Sequence, residues 1–315
     1  MRYLIILTPL EPFFFGGDRT FGALGEDGSN YLVHSRPFPQ QTALLGMIRK
    51  EMLMQSGLLT KKRRGEWIDE DKKEKAKALV GDTKFMFNQE QDFGVLNNIS
   101  AVFLMKKGEK FMKKVNIDRY PYKEGVLENY NPKEDIYDNF VSLDGSGTLR
   151  FDDIFNPVEQ IGIKKGGGDN AFFKKTSYLL KDDFSFALYV ESDFELTSSY
   201  VMLGAETSTF KMQVIPTKEK LEYVDSNGYV TLLSDAYIDV PIKEHCTFAI
   251  TSEIPFRYLE NEFKGQHRKF KKSKNIFLYE KGSVFIDPTQ ELIDNLNNQN
   301  LQKVGLNIYT IGEKS

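Results

Sequence analysis

Few residues in this chain have the types and spacing that catalysis or metal binding needs. Its three histidines, His34, His245 and His267, stand in separate segments, and its one cysteine, Cys246, has no second thiol. That excludes a disulfide framework and a thiolate zinc cluster, and no H-x-x-x-H or C-x-x-C spacing offers a metal two adjacent ligands. No D-x-D cluster sits at a strand end for a pair of magnesium ions, and Asp152-Asp153 and Asp182-Asp183 read as solvated turns. No metal and no cofactor is expected. There is no G-x-S-x-G elbow. Cys246 follows His245 directly, and neighbours on an extended chain point to opposite faces, so Cys246 reads as a buried small hydrophobe. His34, beside Ser35 and Arg36, has the chemistry for metal-free RNA cleavage by general acid and base action. A lone histidine is more often structural, and the chain is expected not to be an enzyme.

The residues that could hold a phosphate backbone are more numerous. Forty-two Lys and Arg against 45 Asp and Glu give a net charge of -3, which excludes a polycation that coats nucleic acid indiscriminately. The positive charge is nonetheless clustered. Lys61-Lys62-Arg63-Arg64 is one basic knot, and Lys264 to Lys274 carries six Lys or Arg and one His with no acid. Pairs stand at Lys106-Lys107, Lys113-Lys114, Lys164-Lys165 and Lys174-Lys175. Any one pair alone is usually a solvated face. Between the last two pairs lie Gly166, Gly167 and Gly168. Their amides could cradle an RNA phosphate, with a plain hairpin turn as the equal alternative. No G-K-[ST] follows, so this is not a nucleoside triphosphate loop.

The elements that must position these residues are short strands. Arg2 to Leu7 reads as a first strand, a glycine-rich loop follows, and Leu44, Leu45, Ile48, Met52 and Leu53 fall at helical spacing after the Pro37–Pro39 corner. Residues 57–92 suit a charged helical insertion. Asn98 to Met105 and a partner from Phe111 form a hairpin, and 118–157 reads as a long loop. Strands then recur at Phe184–Val190, around the 204–208 turn, and at Tyr229–Leu233, Thr247–Thr251, Ile276–Tyr279, Ser283–Ile286 and Gly305–Ile311. A helix over Thr289–Leu296 precedes the last of these. Few helices among many short strands predict α+β with antiparallel sheet, in two domains, 1–215 and 216–315. With 25 Phe and 15 Tyr there is ample apolar area to bury. No apolar run reaches the roughly 18–20 residues that span a bilayer, and the N-terminus does not read as a signal peptide. A cytoplasmic protein with no membrane partner is expected.

Several short motifs, in order along nearly the whole chain, resemble a family. PLEPFFFGGDRTFG and then RPFPQQTALLGMIR resemble the opening of the RAMP superfamily of CRISPR-associated proteins. IGIKKGGGDNAFFKKTSY, MLGAETSTFK, YEKGSVFI and VGLNIYTIG follow in the family's order. The chain looks most similar to third subunits of the type III-B (Cmr) effector. That resemblance implies two ferredoxin-like, RRM-type domains, the second degenerate. It implies a non-catalytic role gripping the 5′ repeat-derived tag of the crRNA. The expected protein partners are the large polymerase-like subunit and a backbone RAMP subunit. By position, the residues facing RNA would be Phe14, Gly16, Gly17, Arg19, Arg36, Phe38, Gln41 and Arg49. Lys164, Lys165, Gly166, Gly167, Gly168, Lys174 and Lys175 would form an adjoining hairpin. Gly204, Thr207, Ser208 and Lys211 would form a glycine-type loop, in which Ala205 replaces a usual second glycine. A type III-A (Csm) counterpart, a processing endoribonuclease using His34 and a protein-only scaffold are the competing readings.

Overall fold

The computed structural model describes residues 1–16, 19–21, 31–59, 62–63, 66–67, 70–82, 84–114, 122–123, 126–128, 139–163, 172–205, 207–222, 229–257, 259–264, 267–272 and 274–312. The architecture is mixed α and β, with mostly antiparallel sheets. β1 (Arg2–Pro9) alternates buried and half-buried residues, as a strand with one face in the core must. It lies between strands Phe184–Ser192 and Ser208–Pro216, antiparallel to both. Phe103–Lys106 completes the group on the far side of Phe184–Ser192. Between β1 and Phe103–Lys106 in sequence runs α1 (Gln41–Gln55), whose Leu44, Leu45, Ile48 and Met52 are buried. The 184–192 strand is thus inserted between the two strands that α1 connects, a split β-α-β arrangement. The sheet extends through Glu109–Lys113, Asn139–Ser142 and Thr148–Arg150 on one side and ends at Ser199–Leu203 on the other.

A second sheet orders Phe155–Ile163, Phe172–Leu180, β3 (Tyr31–His34) and β2 (Arg19–Phe21). β3 pairs in parallel with the 172–180 strand, the one departure from antiparallel pairing among the described strand pairs. A third sheet, near the C-terminus, has the order Phe248–Ile250, Val284–Ile286, Val230–Leu232, Tyr309–Ile311. Ile242–His245 and Gln290–Leu296 are helices in the connections that the first sheet's logic calls for. Thr289 caps the latter, its hydroxyl accepting from the Leu292 amide. No helix among the described residues is long and apolar enough to cross a membrane.

Three expectations are corrected. The 98–105 segment is two strands, Leu96–Ile99 and Phe103–Lys106, because at Ser100 the ladder is interrupted: the Ser100 amide still donates to the Tyr189 carbonyl, but the Tyr189 amide donates to the Ser100 hydroxyl and not to a backbone carbonyl. The 118–157 loop is structured from residue 139 onward: Phe140 is fully buried and its strand pairs with Glu109–Lys113. The last strand begins at Tyr309, because Gly305 and Asn307 both have positive φ and the chain turns there. The 57–92 insertion does contain a helix, α2 (Glu70–Val80).

One clamp ties the ends of the chain together. The Gln41 side chain donates to the Ser100 carbonyl at 2.9 Å and to the Gly305 carbonyl at 2.8 Å. Gly305 has φ +80, and a Cβ there would stand 2.4 Å from Gln41 Nε2 and 2.5 Å from Ser100 O. Gly305→Ala is therefore expected to cost at least about 2 kcal/mol, from a clash that cannot relax plus backbone strain. Chemical denaturation of the variant against the parent checks this.

Candidate nucleic-acid interface

The Phe-rich loop after β1 is pinned on three sides. Phe13 exchanges backbone hydrogen bonds with Tyr178 of the 172–180 strand, and the Ser35 amide donates to Thr176 O on that same strand. The Phe15 amide donates to Ser35 Oγ at 2.9 Å, while the Arg36 amide donates to Gly16 O at 2.8 Å. The third side is the 204–208 turn. The Ala205 amide donates to Phe14 O at 2.8 Å, and Ser208 Oγ donates to Pro12 O at 3.2 Å. Gly204 has φ +100, and a Cβ there would stand 2.6 Å from Phe14 O. Glycine is needed at 204 both for its backbone conformation and for this approach. Ala205, which follows it, is exposed.

Two loops far apart in sequence are thereby brought together, with cations beside them. Lys175 Nζ lies 5.4 Å from the centre of the Phe14 ring, a cation–π distance. Lys174 pairs with Glu159 at 2.7 Å. Arg36 reaches across to the C-terminal part of the chain and donates to Pro255 O at 2.7 Å. Thr207 and Ala205 are exposed at the turn, and Gly16 is half-buried. Phe14, Lys175 and Ser208 are themselves buried, contrary to the expectation that they face RNA, and the amides named above are engaged within the protein. What the cluster leaves at its rim is the exposed Ala205 and Thr207 of the turn with Lys174 and Arg36 nearby, groups of the kind that meet phosphate and sugar.

Other expected positions fall elsewhere. Phe38 is buried, stacked on Phe140 and edge-on to Phe155 and Phe186, so it is core and not an RNA-facing ring. Gln41 is the buried clamp on Ser100 and Gly305. Arg49 donates weakly to Asp92 O and sits 5.5 Å from the Phe93 ring, beside the helical insertion. Burial lowers its pKa, opposed by Asp82 and Asp92. Lys211 lies opposite Thr8 and Tyr200 on the sheet face turned away from Phe210, and so does not join the turn's other residues. Gly17 and Lys164 to Gly168 lie outside the described residues, and Arg19 begins β2. The strands flanking residues 164–171 pair as a hairpin throughout 155–163 and 172–180. His34 ends β3 exposed, with no side-chain hydrogen bond among the described residues. No group of metal-ligating side chains occurs among the described residues.

Sequence reasoning missed Lys281, although it lies inside the YEKGSVFI segment. Its ammonium sits 4.0 Å from the centre of the Phe38 ring. Beside it Lys113 pairs with Glu280 at 2.7 Å. Burial lowers the Lys281 pKa to about 8, opposed by Asp235 and Glu280. An isolated lysine titrates near 10.5, so the unfolded state binds more protons between these values and stability rises with pH across that window. Below about pH 8 the burial cost is fully present, on the order of 3 kcal/mol. Denaturation at about pH 8 and pH 10 is expected to show a gain for the parent protein that Lys281→Met lacks.

Comparison with known proteins bears on what binds here. Residues 5–114 match the family described as CRISPR-associated protein (Cas_Cmr3), a stretch that contains β1, the Phe loop, α1 and the 103–113 hairpin. No curated protein matches the chain. Among solved structures, a chain of a type III-B Cmr-beta bound to cognate target RNA and AMPPnP has a TM-score of 0.56 at 16% identity, covering 98% of this chain and 96% of that one. A second, type III-B Cmr-beta bound to cognate target RNA, gives 0.55 at 16% identity, with 99% and 96% covered. At such identity the likeness is one of fold, and it extends over the whole length. The N-terminal third thus matches the Cas_Cmr3 family in sequence, and the fold of the whole chain is similar to that of the type III-B Cmr-beta chains.

Proposed function

We propose that the protein is the subunit of a type III-B CRISPR effector that holds the 5′ repeat-derived tag of the crRNA, without catalysing a reaction itself. It docks the large polymerase-like subunit on one side and a backbone RAMP subunit on the other. Two ferredoxin-like units, 1–215 and 216–315, carry this role. The strand order of the C-terminal sheet supports the second unit, with helices in the same connections as a β-α-β-β-α-β repeat.

The observation that carries the reading is the junction of the Phe14 loop with the Gly204 turn, next to Lys174, Lys175 and Arg36. A glycine turn held against a second loop, with cations beside both, suits an extended single strand better than a small molecule. The strand's phosphates meet lysine and backbone amides, and its bases are left free to stack. The family match and the fold shared with RNA-bound type III-B Cmr-beta chains support the same reading.

Purification of the assembled complex through a tag on this chain tests the reading. RNAs sharing one repeat-derived 5′ end are expected, with ultraviolet crosslinks in 11–16 or 203–208. An assembled complex whose RNA crosslinks nowhere on this chain would overturn it, and trimming of repeat RNA by the free chain would return attention to His34. Replacing both Lys174 and Lys175 with alanine is expected to weaken RNA binding for all guide sequences alike. It should also flatten the slope of log K against log salt by about 0.7 for each phosphate that is no longer neutralised.

A further inference from the structure

The first sheet has two faces with different fates. Toward α1, Ile5, Leu7, Val201, Leu203, Phe210 and Met212 are buried. On the other face, the half around Phe103, Ala187 and Tyr189 is covered by Leu233, with Leu221 and Ile308 packed against it. The remaining half is bare. Register places Tyr200 beside Lys211 and Lys211 beside Thr8; Met202 pairs with Thr209 and Ile215 with Leu4, all facing one way. Leu10 continues that face, its amide donating to Thr209 O. Exposure is 69% for Tyr200, 58% for Met202, 55% for Leu10 and 44% for Ile215. Four large apolar side chains on three adjacent strands form a patch that a solitary soluble surface seldom carries.

From its dimensions and charge we infer that this bare half-face is the seat of an amphipathic helix with acidic flanks, supplied by a partner protein. The outer two of the three strands stand about 10 Å apart, one helix diameter. From Thr209 to Ile215 the patch runs roughly 20 Å, the length of about 13 helical residues. Lys211 lies in the middle of the patch, and Lys218 follows Ile215 just beyond its end; both are exposed and neither has an ion pair among the described residues. A helix whose apolar stripe covers Met202, Tyr200 and Ile215 would bring its flanking carboxylates to these ammonium groups. A single strand of RNA fits worse, because the face has one aromatic ring, and its two cations, Lys211 and Lys218, are about seven residues apart along a largely apolar surface. A second copy of this face would set Lys211 against Lys211. This inference does not rest on the RNA-binding reading, which concerns the Phe14 loop and the Gly204 turn at the end of these strands.

The test is a photo-crosslinking amino acid at position 200 or 202 in the complex assembled from co-expressed neighbouring subunits. Support is a crosslink to a helical segment of another protein that carries Asp or Glu beside an apolar stripe. Lys211→Glu should also weaken that protein's association by at least tenfold, restored by reversing the charge of the crosslinked acid. Met202→Asp, at an exposed position where folding is unaffected, should release the same protein. A crosslink to RNA, to a second copy of this chain or to nothing in the assembled complex overturns the inference, as does undiminished association of the Lys211→Glu variant. The RNA content of the same preparation reports separately on the tag-binding reading.

Discussion

Interlocked phenylalanine rings hold the structure together at the point where its sheets meet. Phe13 and Phe15 stack on each other, and both lie edge-on to Phe186. Phe38 joins Phe186 to Phe140 and Phe155, and Phe210 closes the other side. These rings come from the loop after β1, the proline corner before α1, and strands of two different sheets. Truncating any of them would loosen several elements at once, at a cost of about 3–5 kcal/mol. The rings explain why residues 10–16, which follow β1 and form no regular strand or helix, have a defined path. Its aromatic residues are anchored, so its backbone can present groups outward.

The candidate interface follows from that anchoring. Phe14 alternates with Phe13 and Phe15, so while its neighbours enter the core it stands at the edge, under Lys175 and against the Gly204 turn. The backbone there is held from both sides. Its shape is therefore set by the protein itself, and a ligand seated there would cost little ordering entropy. Lys281 plays a related part at the other end of the corner. A buried ammonium over the Phe38 ring, near Asp235 and Glu280, links the C-terminal sheet to the start of α1.

Much of this was legible in the residues. Hydrophobic alternation in β1 and in Phe184–Ser192, helical spacing in α1 and the Lys-Gly turn after Lys106 all report local periodicity and turn chemistry. The junction of the Phe14 loop with the Gly204 turn was reachable through ordered motifs. What the sequence hides is direction. Phe38 and Gln41 stand in a motif beside residues at the interface, yet both point inward, because the proline corner rotates the chain between Arg36 and Phe38. Arg49 is two turns along α1 from Gln41 and meets the insertion instead. Lys281 is missed for a related reason: nothing local distinguishes a lysine that lies on an aromatic ring from one that lies in water. The register that gathers Tyr200, Met202, Ile215 and Leu10 on one face emerges only when three strands are aligned.

The Gln41 clamp sets an order of events. The first strand of the chain pairs with residues 184–192 and 208–216, and the helix that follows it is latched to the carbonyl of Gly305. During synthesis, β1 and the Phe loop leave the ribosome long before any of these partners exists. Apolar residues such as Ile5 and Phe13 must then wait for their strand and ring partners until residues 178–216 have followed. The latch itself can close only once Gly305 has been made, so the C-terminal segment locks a sheet whose strands are already paired.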